Sequence, residues 1–281
     1  MKILVTGITG QLGFDVVREL KERKFDVIGV SSSEMDITDE NKVREVIKNV
    51  SPDAVIHCAA YTAVDKAEED VEKCMSVNAK GTEYIANICN ELDIKMMYFS
   101  TDYVFNGEGT KPWSVDDEIK PLNLYGDSKY QGEIAVKNNL EKYFILRISW
   151  VFGINGKNFV KTMINLSKNH SQISVVNDQI GSPTYTRDLA KLVADMIVTD
   201  KYGVYHVTNE GTCSWCDFAV EIFKQSNIGV NVVPVDSSEF PTIAKRPKNS
   251  RMNKYKLDEN GFSRLPKWQD ALQRYLKELG V

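Results

Sequence analysis

The chain has 281 residues, 42% apolar and 26% charged, enough to bury a substantial core as one large domain or two smaller ones. Its 35 Lys and Arg against 39 Asp and Glu leave a net charge of -4 with no basic block, which argues against a nucleic-acid partner. No apolar run approaches the ~18 residues that span a bilayer, and five scattered cysteines, an odd number, fit reduced thiols better than a disulfide framework.

The opening MKILVTG runs from a short apolar stretch straight into glycine, unlike a secretory signal, and with the free thiols it points to the cytoplasm. Lys2 to Val5 predicts a first strand, about Gly10 to Lys24 a helix, and Asp26 to Val30 a second strand. Thr38 or Asp39 is placed to cap a helix whose Val43, Val46, Ile47 and Val50 share a face, and Pro52 punctuates its end. Ala54 to Cys58 reads as a strand, about Asp70 to Leu92 as one long helix, and Met96 to Ser100 as a fourth strand. A helix from about Tyr125 to Lys137 and the run Tyr143 to Ser149 continue the alternation. Strict alternation predicts right-handed βαβ units, hence an α/β, Rossmann-type, doubly wound parallel sheet with ligands at the carboxyl ends of its strands.

After Trp150 the pattern loosens. A helix near Asn158 to Lys168, another over Thr186 to Val198, strand-like GVYHV and VNVVPV, a Pro-rich loop from Phe240 to Arg251 and a final helix with Trp268, Leu272, Tyr275 and Leu279 predict a smaller C-terminal α/β lobe. The expected division is a nucleotide-binding domain over 1–150, with part of about 172–208 returning to it, and a substrate lobe over about 151–171 and 209–281. Cys213 and Cys216 form a lone CxxC without the further ligands a zinc site needs, because His57, His170 and His206 lie far apart in sequence. They read as structural, with Ser214 capping a helix that buries Phe218, Ala219, Ile222 and Phe223.

Directly after the first strand stands TGITGQLG, with Gly7, Gly10 and Gly13. Glycines at a strand-to-helix turn let the backbone approach a pyrophosphate, and the helix start offers free N–H groups to the anion. The second strand ends in Val30, Ser31, Ser32 and Ser33, with no carboxylate before Glu34 and no arginine. Serines there can accommodate a 2'-phosphate, so NADPH and NADH both stand as cofactors. Asp36 comes late enough for an adenine contact or a solvated turn. Ala59 and Ala60 follow the third strand, and STDYVFNG follows the fourth, bringing Thr101 and a carboxylate to the same edge. In YGDSK, Tyr125 and Lys129 stand four apart, on one helical face.

These residues resemble the extended short-chain dehydrogenases, which share TGxxGxxG, a Ser or Thr after the fourth strand, and YxxxK. They resemble more closely one branch, the dTDP-4-dehydrorhamnose reductases, through CAAYTAVDKAE, STDYVFNG, PLNLYGDSK, RISWVFG, KNFVKTM, NDQIGSPT and RPKNSRMN, a match that runs through both halves of the chain. The resemblance implies NADPH- or NADH-dependent reduction of the C4 ketone of dTDP-4-dehydro-L-rhamnose to dTDP-L-rhamnose by a monomer or homodimer. It implies a catalytic triad of Thr101, Tyr125 and Lys129, sugar contacts from Asp102, Trp150 and Val64, and a cofactor site lined by Gly10, Gln11, Leu12, Asp36, Ile37, Ala60, Tyr61 and Thr62. Tyr61 stands where a histidine is common, a change expected to alter packing more than chemistry. Related dehydratases carry Asp-Glu where this chain has Asp102-Tyr103, which disfavours dehydration. Some relatives hold Mg2+ through acids at a dimer interface; Asp15 and Asp188 match two such positions, but without a full ligand set they read as exposed helix acids, and no metal is assigned. Arg246 and Arg251 read as surface charges on a loop able to face nucleotide phosphates. A reductase for another nucleotide-linked 4-keto sugar, and a non-catalytic nucleotide-binding subunit of the same fold, are the competing readings; the intact triad speaks against the second.

Overall fold

A computed structural model describes residues 1–281. Strand β1 (Lys2–Thr6) lies between β2 (Asp26–Val30) and β3 (Ala54–His57), with Val5 opposite both Gly29 and Ile56. From β3 the sheet continues through β4 (Lys95–Thr101) and β5 (Tyr143–Ile148) to Gly203–His206, giving six strands, all parallel. The strand order reverses at β1, and a crevice opens at such a point on the carboxyl edge.

Successive strand residues face opposite sides of a sheet, so each near-continuous apolar run feeds two cores. Ile3, Val5, Ile56, Met97 and Leu146 face α1 (Gln11–Glu22) and the helix Thr186–Ile197. Leu4, Val55, Met96, Tyr98 and Ile145 face the helices Glu40–Val50, Gly81–Glu91 and Leu124–Asn139. Asp39 caps the helix Glu40–Val50 by accepting the Lys42 N–H.

One helix expected over Asp70 to Leu92 is instead Val71–Met75, a π-helical turn Ser76–Lys80, and Gly81–Glu91. The wide turn, which inserts one residue, aims Asn78 inward. There its Oδ1 accepts the Tyr61 N–H at 2.8 Å and its Nδ2 donates to the Tyr61 carbonyl and to Ser128 Oγ.

The second half builds a separate core from Phe152, Val160, Phe218, Ile222, Trp268 and Tyr275 among others. Gln172–Val176 pairs with Asn231–Val235 in this lobe, whereas the helix Thr186–Ile197 and the strand Gly203–His206 pack on the large sheet. Ser214 caps Trp215–Gln225 in a reciprocal capping box with Asp217. Cys213 and Cys216 are buried free thiols pushed above their usual range by burial. No helix is long and apolar enough to cross a membrane.

Candidate active site

A cleft of about 750 Å³ runs along the carboxyl edge of the sheet. It collects Gly7, Gly10, Gln11, Leu12, Gly13, Asp36, Ile37, Ala60, Thr62, Val64, Thr101, Asp102, Tyr125, Lys129 and Trp150, which is every expected site residue except Tyr61. The Tyr61 phenol turns to Asp70 instead, at 3.3 Å, and only its backbone serves the site, through Asn78.

The glycine turn is tight where glycine is needed. Gly7 has φ +68°, and a Cβ there would sit 2.6 Å from Ala59 N, while one on Gly13 would sit 2.3 Å from the Gly7 carbonyl. Gly10 starts α1 with no side-chain cap, so the first-turn N–H groups are left for an anion. The turn therefore fits a dinucleotide pyrophosphate. Gln11 also reaches the second lobe, its Oε1 accepting from Gly153 N at 2.9 Å and Asn158 Nδ2 at 3.1 Å.

At the far end, Ser31 and Ser32 line the cleft, and Ser31 donates its N–H and hydroxyl to Glu34 at 2.7 and 2.8 Å. Asp36 accepts the N–H and hydroxyl of Thr38, which hold its carboxyl below the usual range. His57 lines the cleft but sits between Thr6 and Thr82 hydroxyls, and burial followed by the Lys129 charge pulls it to about 3, so it stays neutral.

Thr101 ends β4 and is buried; its Oγ1 donates to Asp102 Oδ1 at 3.0 Å and accepts the Tyr103 N–H at 3.2 Å. Asn123 caps the helix Leu124–Asn139 by accepting the Gly126 N–H, which sets Tyr125 in the first turn at the cleft. Burial, and then the Asp102 charge, push the Tyr125 phenol up, with Thr101 opposing. Lys129 follows one turn later, its Nζ 4.2 Å from the centre of the Tyr98 ring. Burial pulls this ammonium down to about 7, against the opposing charge of Glu133. Asp102 Oδ2 is buried without a hydrogen-bond partner, and burial raises the carboxyl to about 6. A buried orphan oxygen at a cleft wall is placed to take a donor from a ligand.

Behind the site lies a buried ion pair that the local sequence pattern does not reveal. Arg147 donates Nε and a terminal nitrogen to the two oxygens of Glu133, both at 2.8 Å, and Ser100 donates to the same carboxylate at 2.6 Å. Burial works against the charge, but the Arg147 bonds hold Glu133 down to about 2. The signal was an arginine inside the apolar run YFILRIS, since a charge in a central strand needs a partner.

Two expectations are corrected. Asp15 and Asp188 are not exposed acids: both are buried, Asp15 accepting from Thr186 and Asp188 held by the fork of Arg274 at 2.6 and 2.7 Å and by Asn209. No cluster of three His, Cys, Asp or Glu is placed to hold a metal, so these residues do not fit Mg2+. Arg246 and Arg251 do not reach the cleft; Arg246 grips Asp65 at 2.7 and 2.9 Å, fixing the Pro-rich loop, and Arg251 bonds Asn249.

The RmlD substrate binding domain family matches residues 1–281. The chain belongs to this family of dTDP-4-dehydrorhamnose reductases. Among relatives, the spore coat polysaccharide biosynthesis protein SpsK of Bacillus subtilis is 39% identical over 99% of this chain and 97% of its own. The dTDP-4-dehydrorhamnose reductase of Clostridium acetobutylicum superposes with a TM-score of 0.98 at 42% identity, covering 100% of both chains. That of Bacillus anthracis, solved in complex with NADP, gives 0.96 at 44% identity over 99% of this chain and 100% of its own. The family match spans both lobes, including the glycine turn, the stretch from Thr101 to Lys129 and the loop anchored by Arg246.

Proposed function

We propose that the protein reduces the C4 ketone of dTDP-4-dehydro-L-rhamnose to dTDP-L-rhamnose. The observation that carries the reading is the convergence of Thr101, Tyr125 and Lys129 in one cleft with an uncapped glycine turn. NADPH or NADH, held by the first turn of α1 and the residues after β2, supplies the hydride to C4. Thr101 orients the ketone oxygen. Tyr125, kept protonated at neutral pH by its raised pKa, gives its proton to that oxygen as the alkoxide forms, so C4 gains the hydride and O4 the proton. Lys129 stabilises the phenolate left behind, which then regains a proton from solvent. Asp102 uses its orphan oxygen to accept a sugar hydroxyl, and Trp150 and Val64 wall the sugar.

In this reading residues 1–150, with the returning part of 172–208, hold the cofactor. The lobe of 151–171 and 209–281 closes over the sugar nucleotide. Five free thiols suit the reducing cytoplasm. The test supplies the ketosugar from dTDP-glucose through the dehydratase and epimerase steps and follows loss of reduced-cofactor absorbance with NADPH and with NADH. Oxidation that depends on the ketosugar is expected; no oxidation with either cofactor, despite confirmed ketosugar, contradicts the reading.

A further inference from the structure

Trp150 and Trp215 stack face to face at the cleft, their ring centres 3.7 Å apart and planes 12° from parallel. Trp150 follows β5 on the large domain with φ +50°, a left-handed backbone that a bulky side chain adopts only when its surroundings impose it. Those surroundings are supplied by the other lobe. The Trp150 carbonyl accepts the Thr184 N–H at 3.1 Å, and Ser149 donates to the Ser182 carbonyl at 2.8 Å, which straps this corner onto residues 182–184. Beside the indole, Gly181 leaves no room: a Cβ there would lie 2.8 Å from Trp150 Cε2. Across it, Trp215 opens a helix capped by Ser214, and the two residues before it, Cys213–Ser214, pair with Ile180–Gly181, so a small sheet ties the start of the Trp215 helix to the Gly181 side of the slot. Phe159 packs on Trp215 at 4.6 Å and keeps it from swinging away.

We propose that Trp215 is a positioning residue for the reduction: it presses the Trp150 indole against the Gly181 backbone and so fixes, from the second lobe, the wall on which the sugar is read. This rests on the assignment of Trp150 to the sugar. Offset-stacked aromatic pairs are favourable beyond their buried area, so losing the stack releases Trp150 to other rotamers while the cofactor turn stays intact. The wall then weakens toward the sugar nucleotide alone.

The test compares W215A, W215F and G181A in the full chain. W215A and G181A are expected to raise the ketosugar KM about tenfold with the dissociation constant for NADPH unchanged, and W215F, which retains a ring, is expected to restore most of it. The far-UV circular dichroism exciton couplet of two stacked indoles, lost equally in W215A and W150F, reports the stack itself. It is assignable because the other two tryptophans, Trp113 and Trp268, meet phenylalanines. A W215A that loses the couplet yet keeps the wild-type ketosugar KM overturns the proposal, as does an equal rise in the NADPH constant. Should the wild-type protein turn over no ketosugar at all, the reductase reading fails and the proposal with it. Wild-type turnover with an unchanged W215A defeats the proposal alone.

Discussion

At the scale of single residues, burial sets the chemistry. In the proposed reaction Tyr125 is the proton donor, its phenol holding its proton at neutral pH, so Tyr125→Phe is expected to keep cofactor binding and lose about 10² to 10⁴ in turnover; wild-type rates would remove Tyr125 from the mechanism. Lys129 loses its charge as pH rises through about 7, and the charged form is the one that supports the phenolate. The kcat/KM of the free enzyme should therefore fall on the alkaline side from near pH 7, and a flat profile to pH 9 would contradict it. Asp102 titrates near 6 in the folded chain against an ordinary value of 3.8, so ionising it in the fold costs stability that grows from about pH 4 and is complete above pH 6. Asp102→Asn is expected to be more stable than the wild type by up to ~3 kcal/mol at pH 7, with the difference gone at pH 4, while losing affinity for the sugar. Equal unfolding midpoints at both pH values would overturn this. The sequence offered Thr101, Tyr125, Lys129 and Asp102 as a cluster by their position after strands, but not their electrostatics, which come from walls such as Tyr98 that only the fold supplies.

At the scale of elements, the alternating apolar runs and the caps at Asp39 and Ser214 were legible because both are local patterns. The π-turn at Ser76–Lys80 was not, since the 3.6-residue period tolerates one inserted residue and the reason for it, Asn78 bonding Tyr61 and Ser128, lies far away in sequence. Asp15 and Asp188 were misread as exposed for the same reason: their partners Thr186, Arg274 and Asn209 are 86 to 171 residues or, for Asn209, 21 residues away. Arg147 and Glu133 show the energetic side. Arg147→Met takes the two-pronged partner from a buried carboxylate, leaving it only Lys137 and Ser100, and is expected to cost about 3 kcal/mol of stability, whereas the double variant with Glu133→Gln recovers much of it. Denaturant midpoints of the two singles and the double decide this, and additive losses would contradict it.

At the scale of the whole molecule, two lobes meet along one cleft, and links such as Gln11 to Gly153 and Asn158 tie the cofactor turn to the second lobe. The parallel sheet could be read from strand and helix alternation; the assembly of the second lobe could not, because its short strands Val151–Phe152, Ile180–Gly181 and Cys213–Ser214 carry too few residues for any period to show. With the fork of Arg274 neutralising Asp188, a chelator is expected to leave turnover and unfolding temperature unchanged. The central claim is a hydride delivered to C4 of a dTDP-linked 4-keto sugar, and it is tested most directly by supplying nicotinamide cofactor deuterated at its transferable position and locating the label in the product by NMR. One deuterium at C4 of dTDP-L-rhamnose is the expected result; unlabelled product, or label at another ring carbon, would contradict the account.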